Sequence, residues 1–167
     1  MPVKNSKEVF ILLLSHARQS TERAGFVFRE LGEAAQNPEV RDALDAGDIA
    51  EKTLATLDEI FRLLGEKPIS IGGRLQDVFL EDFRNELTQI QSPEARRLFI
   101  LMKADHLLHL HMGEYVSLIA ASDVTGKYGL GMLLDGCLAD LVAFAERTRR
   151  QIRSLTEMKV STVGSGT

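Results

Sequence analysis

The feature that most constrains this chain is an apolar spacing of three and four residues, sustained over stretches too long for a strand. Between residues 6 and 35, Phe10, Leu13, Ala17, Ala24, Phe28, Leu31 and Ala35 fall at such steps. A helix turns about 100° per residue, so this spacing lays the side chains in one stripe that must be buried. No strand-like alternation stands out anywhere, and the chain reads as all-α.

The helix ends are also written in the sequence. Asn37-Pro38-Glu39 opens a second helix. Asn37 caps free amides, Pro38 suits the first helical position, and Glu39 complements the positive helix end. This helix is expected to run to about residue 64, with Ala46, Ala50, Thr53, Leu57, Ile60, Phe61 and Leu64 on one face. Gly65 and Pro68 end it. A shorter helix is expected over about residues 74–90, with Leu75, Phe79, Phe83, Leu87 and Ile90 inward. Ser92-Pro93-Glu94 repeats the start signal, and the fourth helix runs to about residue 121. A turn at residues 123–126 precedes a last helix over about 127–157, with Leu130, Leu133, Leu134, Cys137, Leu141 and Phe144 inward. Gln36-Asn37-Pro38-Glu39 and Gln91-Ser92-Pro93-Glu94 sit in matching places, through duplication or through two independent helix starts. The expected architecture is an antiparallel four-helix bundle with one short additional helix. It forms a single domain over residues 1–160, and residues 161–167 are a loose, flexible tail.

Composition narrows the classes of function. A chain of 167 residues can bury a proper core as one domain. Its net charge of -4 gives no general attraction for nucleic acid or an anionic membrane. The basic residues Arg147, Arg149, Arg150 and Arg153 read as a solvated face near a negative helix end. The apolar run at residues 9–14 follows Glu8 and is soon followed by His16 and Arg18, which is unlike a signal peptide. No stretch is expected to reach the ~18 apolar residues that span a bilayer. Cys137 is the single cysteine, so no internal disulfide forms, and a cytoplasmic location is expected.

The histidines carry the most chemistry. His106, His109 and His111 lie on the fourth helix, and His16 on the first. A helical projection places Leu98, Leu101, Leu108, Met112, Val116 and Ile119 toward the core, with Asp105 and His109 on that side, one turn apart. His106 and His111 fall to its flanks. Burying Asp105 or His109 without a partner would cost about 2–7 kcal/mol. They therefore read as a metal or proton-handling pair, or as a carboxylate that orients a core histidine. Glycine-rich phosphate loops, G-x-S-x-G and paired C-x-x-C motifs are absent from the sequence.

Leu57-Asp58-Glu59-Ile60-Phe61 and Leu63-Leu64-Gly65-Glu66-Lys67-Pro68 close one helix, and Asn37-Pro38-Glu39-Val40 opens it. With the order of helices, these segments resemble the YciF-type ferritin-like family over roughly residues 8 to 155. The resemblance implies a ferritin-like bundle that forms a homodimer, a link to stress responses, and a di-metal centre of carboxylates and histidine. The sequence departs from that centre. The acidic position of the first helix falls on Thr21, beside an outward Glu22. The pair on the second falls near Asp48 and Ile49, or on Ile49 and Ala50. The Glu-His of the fourth becomes Leu108-His109, and Asp140 loosely matches a carboxylate of the last helix. The expected site is thus degenerate: it holds no cofactor or a single divalent metal (iron, manganese or zinc), with Asp105, His109 and Asp140 as ligands. The leading reading is a self-associating ferritin-like bundle that leans away from enzymatic activity. The alternative is a metal-binding oxidase or storage protein built around Asp105 and His109. Small inward residues, Ala17, Ala24, Ala46, Ala50 and Cys137, also suit a small apolar ligand in the interior.

Overall fold

Three of the long helices begin or end on a residue that settles free backbone groups. The computed structural model describes residues 4–72 and 74–163, with side chains through residue 155. Six helices follow in order: α1 (Ser6–Ala34), α2 (Pro38–Ala43), α3 (Gly47–Leu64), α4 (Arg74–Leu87), α5 (Pro93–Val124) and α6 (Tyr128–Val163). Asn5, Asn37 and Ser92 accept hydrogen bonds from the backbone amides of Glu8, Val40 and Ala95, capping α1, α2 and α5. Gly65 ends α3 at φ 65°, the left-handed conformation that favours glycine. Residues 161–163 of the expected tail continue α6; residues 164–167 lie outside the described residues.

The long helices α1, α3, α5 and α6 form a closed ring. Lys7 pairs with Glu66 and Arg18 with Asp58, so α3 runs antiparallel to α1. Ser20 reaches Glu114 and Arg96 reaches the Ala34 carbonyl, which sets α5 antiparallel to α1. Arg147 bonds the carbonyls of Ala43 and Asp45 while Lys52 pairs with Asp140, which sets α6 antiparallel to α3. The end of α3 therefore lies at the opposite end of the bundle from the start of α5. The chain returns through α4, which climbs beside α1: Arg23 pairs with Asp77, and Arg84 holds Glu30 at 2.6 Å. Two antiparallel hairpins joined by one long crossover result. Its all-α class is as the sequence predicts.

The expected second helix is two. It breaks at Leu44-Asp45-Ala46, where Leu44 and Ala46 leave helical geometry at ψ 5° and ψ 3°. Asp45 Oδ1 accepts from the Gly47 amide at 3.0 Å, an Asp-x-Gly turn hidden inside a helix-like pattern. The break frees carbonyls, and Arg147 takes two of them at 2.9 and 2.7 Å. Gly32 makes the neighbouring approach possible: a Cβ there would stand 3.2 Å from the Arg41 backbone.

Several buried faces differ from expectation. On α1, Leu14 is buried and Leu13 is 38% exposed. On α4, Gln76, Leu80, Phe83 and Leu87 face in, while Leu75 is 52% exposed. On α6, Leu134, Cys137, Leu141 and Phe144 are buried as expected, but Leu133 is exposed. The largest difference is on α5, whose buried line is Leu101, Ala104, Leu108, His111, Tyr115, Leu118 and Ser122. That line alternates three and four residues without interruption. Met112, Val116 and Ile119 each lie one residue beyond it, about 100° around the helix.

The face of α4 gives a direct test. Leu80→Ala removes a core side chain and should cost about 2–5 kcal/mol in denaturant unfolding. Leu75→Ala, on the outer face, should cost under about 0.5 kcal/mol. Equal losses would contradict the orientation of α4.

Candidate functional site

All four bundle helices contribute to one small polar spot in an otherwise apolar core. A cavity of about 20 Å³ lies there. Thr21 and Phe28 line it from α1, Thr53 from α3, His111 and Tyr115 from α5, and Leu141 and Phe144 from α6. Ala24, Ala46 and Ala50 leave the space open. A volume of that size admits about one water molecule, far below an ordinary ligand pocket of about 300–1,000 Å³. A small apolar ligand does not fit it.

Hydrogen bonds around the cavity have a fixed direction. Thr21 donates to the Ala17 carbonyl at 2.8 Å, so its oxygen accepts from the Tyr115 hydroxyl at 2.9 Å. Burial pushes the Tyr115 phenol well above its ordinary value, which keeps it protonated. His111 is 3% exposed, and burial lowers its pKa to about 4. The ring is neutral at ordinary pH and meets Phe28 edge-on at 6.4 Å between centroids. Nε2 of His111 and Oγ1 of Thr53 have no hydrogen-bond partner in the protein.

The expected metal ligands lie elsewhere. His109 is exposed on the outside of α5. Its Nδ1 meets the Asp105 carbonyl at 2.7 Å, and its Nε2 meets Arg149 Nη2 at 2.6 Å. A guanidinium only donates, so Nε2 accepts and Nδ1 carries the proton. The lone pair a metal would use is thus engaged by a cation. Arg149 also stands 3.4 Å from the Asp105 carboxylate. Asp140 is on the α3 side of α6, paired with Lys52 at 2.6 Å. The structure brings Asp105 and His109 together with Arg149 and places Asp140 apart from them. His106 is exposed, as expected, whereas His111, expected on a flank, is the core histidine.

A second concavity runs along the outside between α1 and α5, with a volume of about 410 Å³. His16, His109 and Glu114 line it with Leu13, Leu110, Gly113 and Ser117. Burial pushes the Glu114 carboxyl up, and the Ser20 hydroxyl holds one of its oxygens at 3.1 Å. Among the described residues, no three His, Cys, Asp or Glu side chains converge in a way that could hold a metal ion.

The helical order and crossover can now be set beside known proteins. The model of a domain of unknown function, DUF892, matches residues 5–161. The chain belongs to the DUF892 family. The stress protein YciF from E. coli has a similar structure, with a TM-score of 0.83 at 18% identity, covering 93% of this chain and 99% of that one. YcfI from Rhodopseudomonas palustris, provisionally described as structural, gives a TM-score of 0.81 at 18% identity over 88% of this chain and 94% of that one. A protein from Xanthomonas campestris gives 0.72 at 14% identity, over 96% and 99%. At such identities the likeness establishes the fold, and the resemblance to YciF-type proteins holds. No curated protein matches the chain.

The buried His111 predicts a pH dependence of this DUF892 protein. The unfolded ring takes a proton near its ordinary 6.5, the folded ring only near 4. Stability is whole above the unfolded value and falls as pH drops from 6.5 toward 4, by about 3 kcal/mol. Glu114 acts oppositely, because a raised carboxyl favours the folded state as it protonates. Comparison with His111→Leu isolates the imidazole. Between pH 7.5 and 4, wild type should lose roughly 6–12 °C more in Tm than the variant. Parallel curves would remove His111 from the acid response.

Proposed function

We propose that this chain is a ferritin-like bundle that retains the scaffold, has lost the di-metal centre, and acts through self-association rather than catalysis. The observation that carries the reading is the set of side chains around the central cavity. A ferritin-like centre draws one Glu from each of two helices and a Glu-x-x-His pair from each of the other two, in a bundle with one long crossover. Here Ala50-x-x-Thr53 on α3 and Leu141-x-x-Phe144 on α6 have the spacing of those pairs, and all four residues line the cavity. Thr21 on α1 and His111 on α5 take the single places. One imidazole and neutral hydroxyls cannot balance or bridge two cations. The lining therefore does not fit a di-metal group.

Self-association is supported by α6. Among the described residues, the stretch Tyr128–Leu155 is long and apolar enough, by length and composition, to cross a membrane, unlike the expectation from the sequence. Its most apolar 18 residues are only 33% buried. The inner stripe packs in the bundle, while Tyr128, Met132 and Val142 stay 66%, 78% and 46% exposed outside it. Turns of small residues, Gly136, Ala139 and Ala143, let another helix come close. A second copy meeting this face would bury an apolar surface that a lone bundle leaves in water. The role in stress is carried over from the relative YciF.

Two measurements test the proposal. Untagged protein soaked in ferrous or zinc salts should hold less than about a tenth of a metal per chain by mass spectrometry. Stoichiometric metal that is lost in His111→Ala would overturn the lost-centre reading. Light scattering at tens of micromolar should give twice the chain mass of 18.5 kDa. The double variant Met132→Asp, Val142→Asp should give the mass of one chain. A monomeric wild type would overturn self-association.

A further inference from the structure

Six serines and threonines are buried among the described residues: Ser15, Ser20, Thr21, Thr53, Ser122 and Thr148. All sit on helices, where the nearest free acceptor is the carbonyl one turn back. Ser15, Thr21, Ser122 and Thr148 donate to that carbonyl at 2.7, 2.8, 2.9 and 3.2 Å. Ser20 donates to Glu114. Thr53 alone among them has no hydrogen-bond partner in the protein, although it is 3% exposed. Its hydroxyl has forgone the local acceptor that its counterparts use.

The same is true across the cavity. His111 is 3% exposed, and its Nε2 also lacks a protein partner. Both residues line the 20 Å³ cavity, together with Tyr115 and Thr21. Two residues with unpaired polar atoms, on helices α3 and α5, thus line one volume of solvent size. Of the lining residues, only Ile49 and Ala50 keep partial exposure. No charged side chain lines the cavity, so nothing there calls for an ion. A buried water needs about two to four hydrogen-bond partners and at least about 10–15 Å³, and the cavity supplies both.

We propose that this cavity is a binding site for one ordered water molecule, which bridges His111 Nε2 on α5 to Thr53 Oγ1 on α3. The Thr53 hydroxyl donates to the water, and the water donates to Nε2 of the neutral imidazole. Its second proton faces the Tyr115 oxygen, whose own proton is committed to Thr21. The bridge joins α3 to α5, which lie diagonally across the ring. It satisfies the two polar atoms that the fold otherwise strands in the core. The site depends only on these atoms, not on a lost metal centre or on a dimer.

A high-resolution crystal structure of the full chain tests this directly. One solvent peak within hydrogen-bond distance of both His111 Nε2 and Thr53 Oγ1 is expected. An empty cavity overturns the proposal, and so does a peak with the anomalous signal of a metal. Thermal unfolding gives an independent reading that does not need crystals. Thr53→Val should lower Tm by roughly 3–6 °C in wild type, because it strips the bridge of one anchor. In the His111→Leu background the same change should cost less than half as much. Equal costs in both backgrounds would overturn the bridge. If His111→Leu fails to fold, the solvent density at the site decides the question.

Discussion

The hydrogen bond from Tyr115 to Thr21 fixes the rotation of α5, and the rest of the bundle interior follows from that rotation. Tyr115 is large, 1% exposed, and carries a hydroxyl that cannot be left unpaired in a core. Thr21 supplies the acceptor at 2.9 Å. With Tyr115 inward, a three-four spacing brings Leu108, His111 and Leu118 inward with it. It also turns His109 out to solvent, where Arg149 meets it. One phenol thereby decides which of three neighbouring histidines is buried.

The sequence made the helices legible but not their rotations. Element type, order and the caps at Asn37 and Ser92 follow from local rules that need no tertiary partner. The rotation of α5 does not, because both candidate faces are amphipathic. Val116 and Met112 are more apolar than Tyr115 and His111, so a hydrophobicity argument favours the wrong face. The correct face is the one with an unbroken three-four repeat from Leu101 to Ser122. Its tyrosine is satisfied by Thr21 on α1, a partner that a projection of α5 alone cannot contain. The break at Asp45 was hidden in the same way: Arg147, 102 residues distant, takes the carbonyl that the break exposes. Of the residues read from the sequence as standing at acidic positions, Thr21, Ile49 and Ala50 line the central cavity and Asp48 does not. The histidine expected on the inward side, His109, is exposed, and His111 is the buried one.

The polar groups outside the core divide the surface by helix pair. Between α1 and α4 the contacts are ion pairs, Arg23 with Asp77 and Arg84 with Glu30. Exposed pairs of this kind contribute little each, and they set the register of α4 more than its affinity. The first half of α6 presents Tyr128, Met132 and Val142 on its outer side, with the exposed Asp135 among them. The contrast is within one molecule and one solvent. The bundle thus carries ion pairs on the face of its crossover helix and a largely apolar outer face on its last helix.

The proposed replacement of a charged centre by neutral side chains would have an energetic logic. A ring of buried carboxylates is stable only while cations compensate it, since an unpaired buried charge costs several kcal/mol. If the metal is lost, the ligands become a liability. Neutral residues at the same places remove the liability and replace it with a packing problem, because ligand positions point inward and must be filled. Leu141 and Phe144 fill the α6 side, and Phe144 packs tilted against Phe28 at 5.0 Å between centroids. Alanines at positions 24, 46 and 50 underfill the α1 and α3 sides. The remainder is the small volume between His111 and Thr53. Its polar lining then follows from geometry: two helices keep a hydrogen-bonding group where no side chain can reach across, and a molecule of solvent size spans the gap.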